Sequence, residues 1–301
     1  MPTHRACPVC ASAKDRVVRR YTSAGVEMTA VICETCGLIR NDPVPSEEEK
    51  LRAVGGSLAQ LHRPAGILLR NSLRNARRYL SGFPTRLPRG AALLDVGCGD
   101  GSLLHLAAQR GMSVLGVDTD PEASRLASEF FGVKVLCGRA EELDFEESSF
   151  DIVCAAHTLE HLDDPCAFLN RARRVLKPHG FLFIEVPNVL RPKTSAQRIW
   201  GLQHCFHFCP ESLMALLVRN EWTPVAVTVF FRDSFQVVAQ PGPCPDPFLA
   251  KGADWKRVCR TIRRHRWLYK LTGQFCWRKL PVLGNLLMHG LRRTQRFVHS
   301  V

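Results

Sequence analysis

An apolar run that leads straight into three alternating glycines constrains this chain more than any other feature. Leu93-Leu94-Asp95-Val96 reads as a buried strand. Gly97-Cys98-Gly99-Asp100-Gly101 follows, and Ser102–Arg110 has helical periodicity. Glycines let the backbone turn sharply and admit a ligand where a Cβ would block it. The N-terminus of the next helix offers unpaired N–H groups to a carboxylate or phosphate. Asp118, 21 residues beyond Gly97, ends the second strand-like run, a position that suits hydrogen bonds to two ribose hydroxyls. Ser102 stands where a dinucleotide fingerprint has its third glycine, which argues against a dinucleotide pyrophosphate.

The same alternation continues along residues 91–240. Strands are expected at Ala91–Val96, Ser113–Val117, Lys134–Leu136, Asp151–Ala155 and Phe181–Val186, with helices at Ser102–Arg110, Pro121–Phe131, Asp164–Leu176 and Pro210–Asn220. Alternation of this kind implies a mostly parallel, doubly wound α/β sheet with helices on both faces. Val225–Phe231 and Phe235–Ala239 are expected to close it as an antiparallel edge.

The motifs resemble the class I S-adenosylmethionine (SAM)-dependent methyltransferases. The resemblance runs over about residues 60–240, through Asp95–Gly101, Gly116-Val117-Asp118-Thr119-Asp120-Pro121, Gly138–Leu143, Phe150–Val153, His157-Thr158-Leu159-Glu160-His161-Leu162 and Val175–Phe181. It implies a Rossmann-like sheet of seven strands and SAM as cofactor. By the same resemblance, Asp95 belongs to the cofactor motif, and Gly97, Cys98 and Gly99 pass under the methionine part. Asp118 holds the ribose, Thr119 flanks the adenine, and Ala140 and Glu141 lie at the adenine edge. Ala156 and His157 border the methionine amine and the acceptor. The family often has Asp where this chain has Arg139.

Residues 1–45 read as a separate small module. Cys7-Pro8-Val9-Cys10 and Cys33-Glu34-Thr35-Cys36 are two CxxC units 22 residues apart, and Gly37 permits a tight knuckle. Four thiolates so paired suit a tetrahedral structural Zn²⁺ site, and closure by four cysteines leaves no open catalytic position. So small a module needs such a staple. The 13 cysteines of a chain expected in the cytoplasm read as thiols and metal ligands rather than disulfides. A zinc ribbon joined to this methyltransferase type resembles bacterial enzymes acting on sugars and surface polysaccharides. The expected acceptor is therefore an oxygen or carbon nucleophile of a sugar-containing small molecule or glycan. A small lipophilic acceptor such as a quinone precursor is the alternative, and an RNA-modifying protein a further one. No Asn/Asp-Pro-Pro-Tyr base-methylation motif follows the fourth strand, where His157 stands.

His157 and His204 are the candidate catalytic bases, since an imidazole can take a proton near neutral pH. Glu185, at the end of the fifth strand, is a third candidate with an equally open structural reading. The segment His204-Cys205-Phe206-His207-Phe208-Cys209-Pro210-Glu211-Ser212-Leu213 resembles a family loop over the acceptor pocket. His161 and His207 read as packing or capping residues.

Charge divides the chain. Residues 1–90 carry +8, residues 91–250 carry −7 and residues 251–301 carry +12. Four parts are expected: the ribbon (1–45), a helical connector (46–90), the catalytic domain (91–240), and a linker with a basic amphipathic extension (241–301). The extension suits packing onto the domain, peripheral contact with an anionic membrane, or nucleic acid. Mean hydropathy is −0.08 and no apolar stretch is long enough to span a bilayer. No apolar run follows Met1-Pro2-Thr3-His4-Arg5, so the expected location is the cytoplasm, with the inner membrane face as a peripheral site.

Overall fold

The computed structural model describes residues 6–46, 49–50, 65–85, 87–139, 145–191, 200–229 and 234–272. The side chains described in the two terminal helices are those from Leu69 onward in one and up to His265 in the other. The described strands are β1 (Asp15–Ser23), β2 (Val26–Cys33), β3 (Ile39–Asn41), β4 (Ala92–Val96), β5 (Ser113–Asp118), β6 (Val135–Cys137), β7 (Phe150–Ala156), β8 (Leu176–Pro187), β9 (Phe206–His207), β10 (Trp222–Val229) and β11 (Ser234–Pro241). The helices are α1 (Ala65–Gly82), α2 (Ser102–Gln109), α3 (Pro121–Phe131), α4 (Pro165–Val175), α5 (Pro210–Arg219) and α6 (Trp255–Thr272).

Seven strands form the main sheet in the order β10-β11-β8-β7-β4-β5-β6. The β4, β5, β6, β7 and β8 neighbours pair in parallel, and β10 and β11 add an antiparallel edge to β8. This is the doubly wound, Rossmann-like architecture expected from the sequence. The chain order reverses beside β4, and the loops after β4 and β7 meet over the carboxyl ends of the strands, where open α/β sheets bind ligands. The helix starts are chemically explicit. Asp120 accepts from Glu122 N–H ahead of α3, and Asp164 accepts from Cys166 and Ala167 N–H ahead of α4, each with proline in the first turn. Ser46 and Glu49 also form a capping box, Ser46 N–H donating to Glu49 Oε2 and Glu49 N–H to Ser46 Oγ.

The N-terminal module is not separate. Its sheet, β1-β2-β3-β9, takes its last strand from the loop at 206–207. Cys7, Val9, Cys33, Cys36 and Leu38 share one apolar cluster with Val153, Leu182, Phe206 and Phe208. Local sequence patterning carries no signal for a two-residue partner strand more than 160 positions away.

The start of the basic extension packs inward. Ala253, Val258 and Ile262 are buried against Ala30, Ile32, Ile39 and Trp200. Gly37 adopts φ +72°, and a Cβ there would meet the carbonyl oxygen of Ala253 at 2.5 Å. The knuckle glycine thus serves a close approach as well as a turn. No helix among the described residues is long and apolar enough to cross a membrane.

Candidate active site

The turn after β4 is built as a cradle. Gly97 and Cys98 N–H both donate to Val117 O, and Gly101 N–H donates to Cys98 O. Gly97, Gly99 and Gly101 all take positive φ, the region that favours glycine. Their neighbours differ. A Cβ on Gly97 would collide with the Thr158 hydroxyl, whereas one on Gly99 would enter open space. Gly99 therefore faces the open cradle, and Gly97 lets the loop after β7 close against the turn. The Cys98 side chain is buried, and burial pushes its thiol up.

Asp118 ends β5 with both carboxylate oxygens engaged. Oδ2 accepts from Gly99 N–H (2.8 Å) and Oδ1 from Asp120 N–H (2.9 Å). A carboxylate has about four acceptor sites, so each oxygen keeps capacity for a ribose hydroxyl. The open Gly99 face and this anchored carboxylate fit the nucleoside and methionine parts of SAM. Asp95 lies buried in β4, and burial pushes its carboxyl up to about 7, with the Asp118 and Asp100 charges adding. Thr119 is exposed beside Asp118, and Ala156 lies at the end of β7 opposite Glu185. Ala140 and Glu141 lie outside the described residues.

His157 follows β7 with φ +58°, uncommon for a non-glycine residue. Its Nδ1 lies 3.3 Å from Glu160 Oε1 and its Nε2 3.2 Å from Glu185 Oε1. Carboxylates only accept, so both ring nitrogens must donate, and the ring is an imidazolium. Glu160 and Glu185 are buried. Burial opposes the charge on His157, but hydrogen bonds to Glu160 and Glu185 outweigh it and raise its pKa to about 10. Burial likewise opposes ionisation of Glu160, yet hydrogen bonding to His157 and nearby imidazoles bring it down to about 2. Glu185 is held further by Arg78 (2.6 Å) and by Gln236 Nε2–H (2.7 Å). Sequence reasoning missed Arg78 and Gln236: neither stands in a motif, and only the fold brings α1 and β11 to Glu185. Glu160 was visible inside the His157–Leu162 motif, three residues from His157.

The pH dependence follows. The raised pKa of His157 stabilises the fold fully below its ordinary value of about 6.5, and this is lost as pH rises through about 10. The lowered pKa of Glu160 stabilises the fold above about 4.5, and this is lost as pH falls through about 2. The melting temperature is thus expected to fall on both flanks. His157→Gln should flatten the alkaline flank, as read by thermal denaturation from about pH 2 to about pH 11; an unchanged alkaline slope would contradict the clamp.

His204 lies near this clamp. The ring nitrogens of His161 and His204 and a Glu160 carboxylate oxygen lie within 4.8 Å of one another. His161 Nδ1–H donates to Gln203 O (2.8 Å), and the His161 and His204 rings meet edge-on at 4.9 Å. Glu160 Oε2 is buried without a hydrogen-bond partner among the described residues. His207 is buried beside Trp200, its pKa lowered by burial. Burial raises the Cys209 thiol to about 12, which makes it a poor nucleophile.

The four cysteines converge. Cys7 Sγ is 3.5 Å from Cys36 Sγ, Cys10 Sγ is 3.4 Å from Cys33 Sγ, and all four sulfurs lie within 4.8 Å of one another. A tetrahedral zinc with Zn–S bonds near 2.3 Å needs sulfurs ~3.8 Å apart, so the set fits that ion. Hydrogen bonding to Cys33, with burial adding, raises Cys7 and Cys36; a bound cation relieves that cost by holding all four as thiolates.

Comparison with known proteins agrees with this geometry. A family model described as a methyltransferase domain matches residues 94–184. A SAM-dependent methyltransferase from Aquifex aeolicus shares the fold, with TM-score 0.51 and 21% identity over 62% of this chain and 97% of that one. Fold, glycine turn and family match make residues 94–184 similar to a SAM-dependent methyltransferase domain.

Among curated proteins, the chain is 33% identical over 171 residues to a ubiquinone biosynthesis O-methyltransferase of Bradyrhizobium sp. strain ORS 278, covering 53% of this chain and 64% of that one. It is 36% identical over 130 residues to the Xanthomonas axonopodis pv. citri protein so named, covering 41% and 54%. The chain thus spans between half and two thirds of these relatives. They overturn the expected likeness to sugar and surface-polysaccharide enzymes, and with it the sugar or glycan acceptor. That expectation rested on joining the ribbon to the domain, and a structural ribbon carries no information about the acceptor.

Proposed function

We propose that this chain methylates a hydroxyl oxygen of a small lipophilic phenol of the quinone-precursor class, using SAM. The observation that carries this reading is the 33% identity, over 171 residues, to an enzyme named for ubiquinone-biosynthesis O-methylation. SAM supplies a methyl group already activated by its sulfonium: the C–O bond forms as the C–S bond breaks, that electron pair stays on sulfur, and the hydroxyl proton is left to be removed.

This chain's residues place the reactants and handle that proton. Gly97, Cys98, Gly99 and Asp95 form the methionine side of the cradle; Asp118 and Thr119 hold the nucleoside, with Ala156 beside the methionine amine. His157, protonated and gripped through both nitrogens, borders the acceptor as a fixed positive charge that favours a phenolate. Glu185 secures that charge and is itself saturated by Arg78, Gln236 and His157. His204 is then the base, with Glu160 across from it to stabilise the imidazolium formed. The four cysteines hold a structural zinc.

His204→Ala is expected to lower turnover by ~10²–10⁴-fold with affinity for S-adenosylhomocysteine unchanged. The assay follows methyl-labelled SAM with a prenylated catechol as probe acceptor; full activity of the variant would remove His204 from this role.

A lipophilic acceptor also gives the basic extension a reason to meet an anionic bilayer. Residues 266–301 hold seven Lys/Arg and no acidic residue. Truncation after His265 spares the packed Val258 and Ile262. It should abolish salt-sensitive sedimentation with anionic vesicles; equal sedimentation of both forms would reject membrane contact through this segment.

A further inference from the structure

We propose that Asn41, in the four-cysteine module, is a positioning residue for methyl transfer, acting through the backbone of His204. The inference rests on the proposed role of His204. Asn41 ends β3 and is fully buried. Its Nδ2–H donates to His204 O at 2.9 Å, and its backbone N–H donates to Cys205 O at 2.9 Å. Its own orientation is fixed from behind, because the Tyr21 hydroxyl donates to Asn41 Oδ1 at 2.9 Å. An amide satisfied on both its oxygen and its nitrogen in a buried site cannot flip without losing both bonds.

The rest of the module grips the same loop. Ile39 pairs with His207 and Arg40 with Phe206. Ser23 Oγ accepts from Leu202 N–H at 3.2 Å, and the Tyr21 ring lies 6.2 Å from that of Trp200. Residues 200–207 are therefore held by β1 and β3 at several points, with His204 in the middle. The bracing reaches the cysteines directly: Cys33 N–H donates to Leu38 O, and Gly37 N–H to Cys33 O, at the base of the β2–β3 hairpin.

The cofactor turn is braced differently. Cys98, Leu103 and Leu104 pack with Ile152, Cys154 and Phe183 in a cluster that contains no residue of 1–45. The module therefore holds the His204 loop through direct hydrogen bonds and strand pairing, whereas toward the glycine turn it shares only an apolar cluster with the flanking Val96 and Val117. The ribbon thus places His204 without specifying the acceptor, and occupancy of the four cysteines becomes a condition for a correctly placed His204.

The test uses full-length, metal-loaded protein. Asn41→Ala and Tyr21→Phe are compared with wild type in four readouts: zinc content, affinity for S-adenosylhomocysteine, KM and kcat with a prenylated catechol, and the imidazole pKa of His204 by NMR. Among the described residues, Glu160, His161 and His207 face His204. Zinc content and cofactor affinity are expected to stay within twofold of wild type. The catechol KM should rise or kcat fall by about tenfold in Asn41→Ala and less in Tyr21→Phe, and the His204 pKa should move while those of His105 and His179 do not. If Asn41→Ala does not fold, Tyr21→Phe carries the test, since it removes one hydroxyl and leaves no large cavity. An unmoved His204 pKa, or cofactor affinity falling in step with turnover, would overturn the proposal. If catechol is not methylated at all, the acceptor reading fails, and the NMR comparison still decides the role of Asn41.

Discussion

Asp118→Ala is expected to lower affinity for S-adenosylhomocysteine by roughly 30- to 1000-fold, equivalent to the ~2–4 kcal/mol of two charge-assisted hydrogen bonds. The carboxylate has two tasks. In the proposed role it accepts from the ribose, and it already holds Gly99 and Asp120 N–H. Removing it frees the turn as well as the ligand, so the loss should lie toward the upper end. Calorimetric titration reads it directly, and Asp118→Asn separates the two tasks: it keeps one acceptor oxygen and should recover part of the affinity. Gly99→Val should be as damaging by a different route, filling the open cradle. Gly97→Val should instead disturb the loop after β7 through Thr158. Equal affinity in wild type and Asp118→Ala would contradict the cofactor assignment.

The second large effect is expected at the four cysteines. Cys33→Ser/Cys36→Ser should lose the metal and lower the melting temperature of the whole chain, not of a detached ribbon. Structural zinc sites contribute an apparent ~10–16 kcal/mol in isolated fingers. Here Cys33 and Cys36 also sit in a shared core with Val153, Phe206 and Phe208. Elemental analysis with thermal denaturation checks this. Cofactor binding in surviving folded protein should persist, because Cys98 of the glycine turn and Leu103 and Leu104 of the following helix pack in a cluster without the four cysteines. A variant that loses zinc but melts as wild type would show the module to be an independent appendage.

The parts legible in the sequence were those with a local physical signature. The strand into Gly97–Gly101, the acid at Asp118 and the paired CxxC units each depend on residues within a few positions of one another. Strand and helix periodicity ordered the elements, and the antiparallel edge followed from two apolar runs after the last helix. What escaped depends on distant partners. Nothing local distinguishes Gly97, which meets Thr158, from Gly99, which meets open space. The near-neutral imidazole expected at His157 becomes a clamped cation only because Glu185 from β8 and Glu160 converge on it. Asn41 looks like the residue before a turn until the fold places it under His204. The acceptor was misread for a related reason: the ribbon suggested a sugar, whereas its contacts are with the fold.

Incubation of the metal-loaded protein with methyl-labelled SAM and a prenylated catechol, read by mass spectrometry of the phenol, tests the central claim most directly. The expected result is one labelled methyl ether with stoichiometric S-adenosylhomocysteine, abolished in Asp118→Ala and strongly reduced in His204→Ala. Tight cofactor binding with no transfer to the catechol oxygen would contradict it.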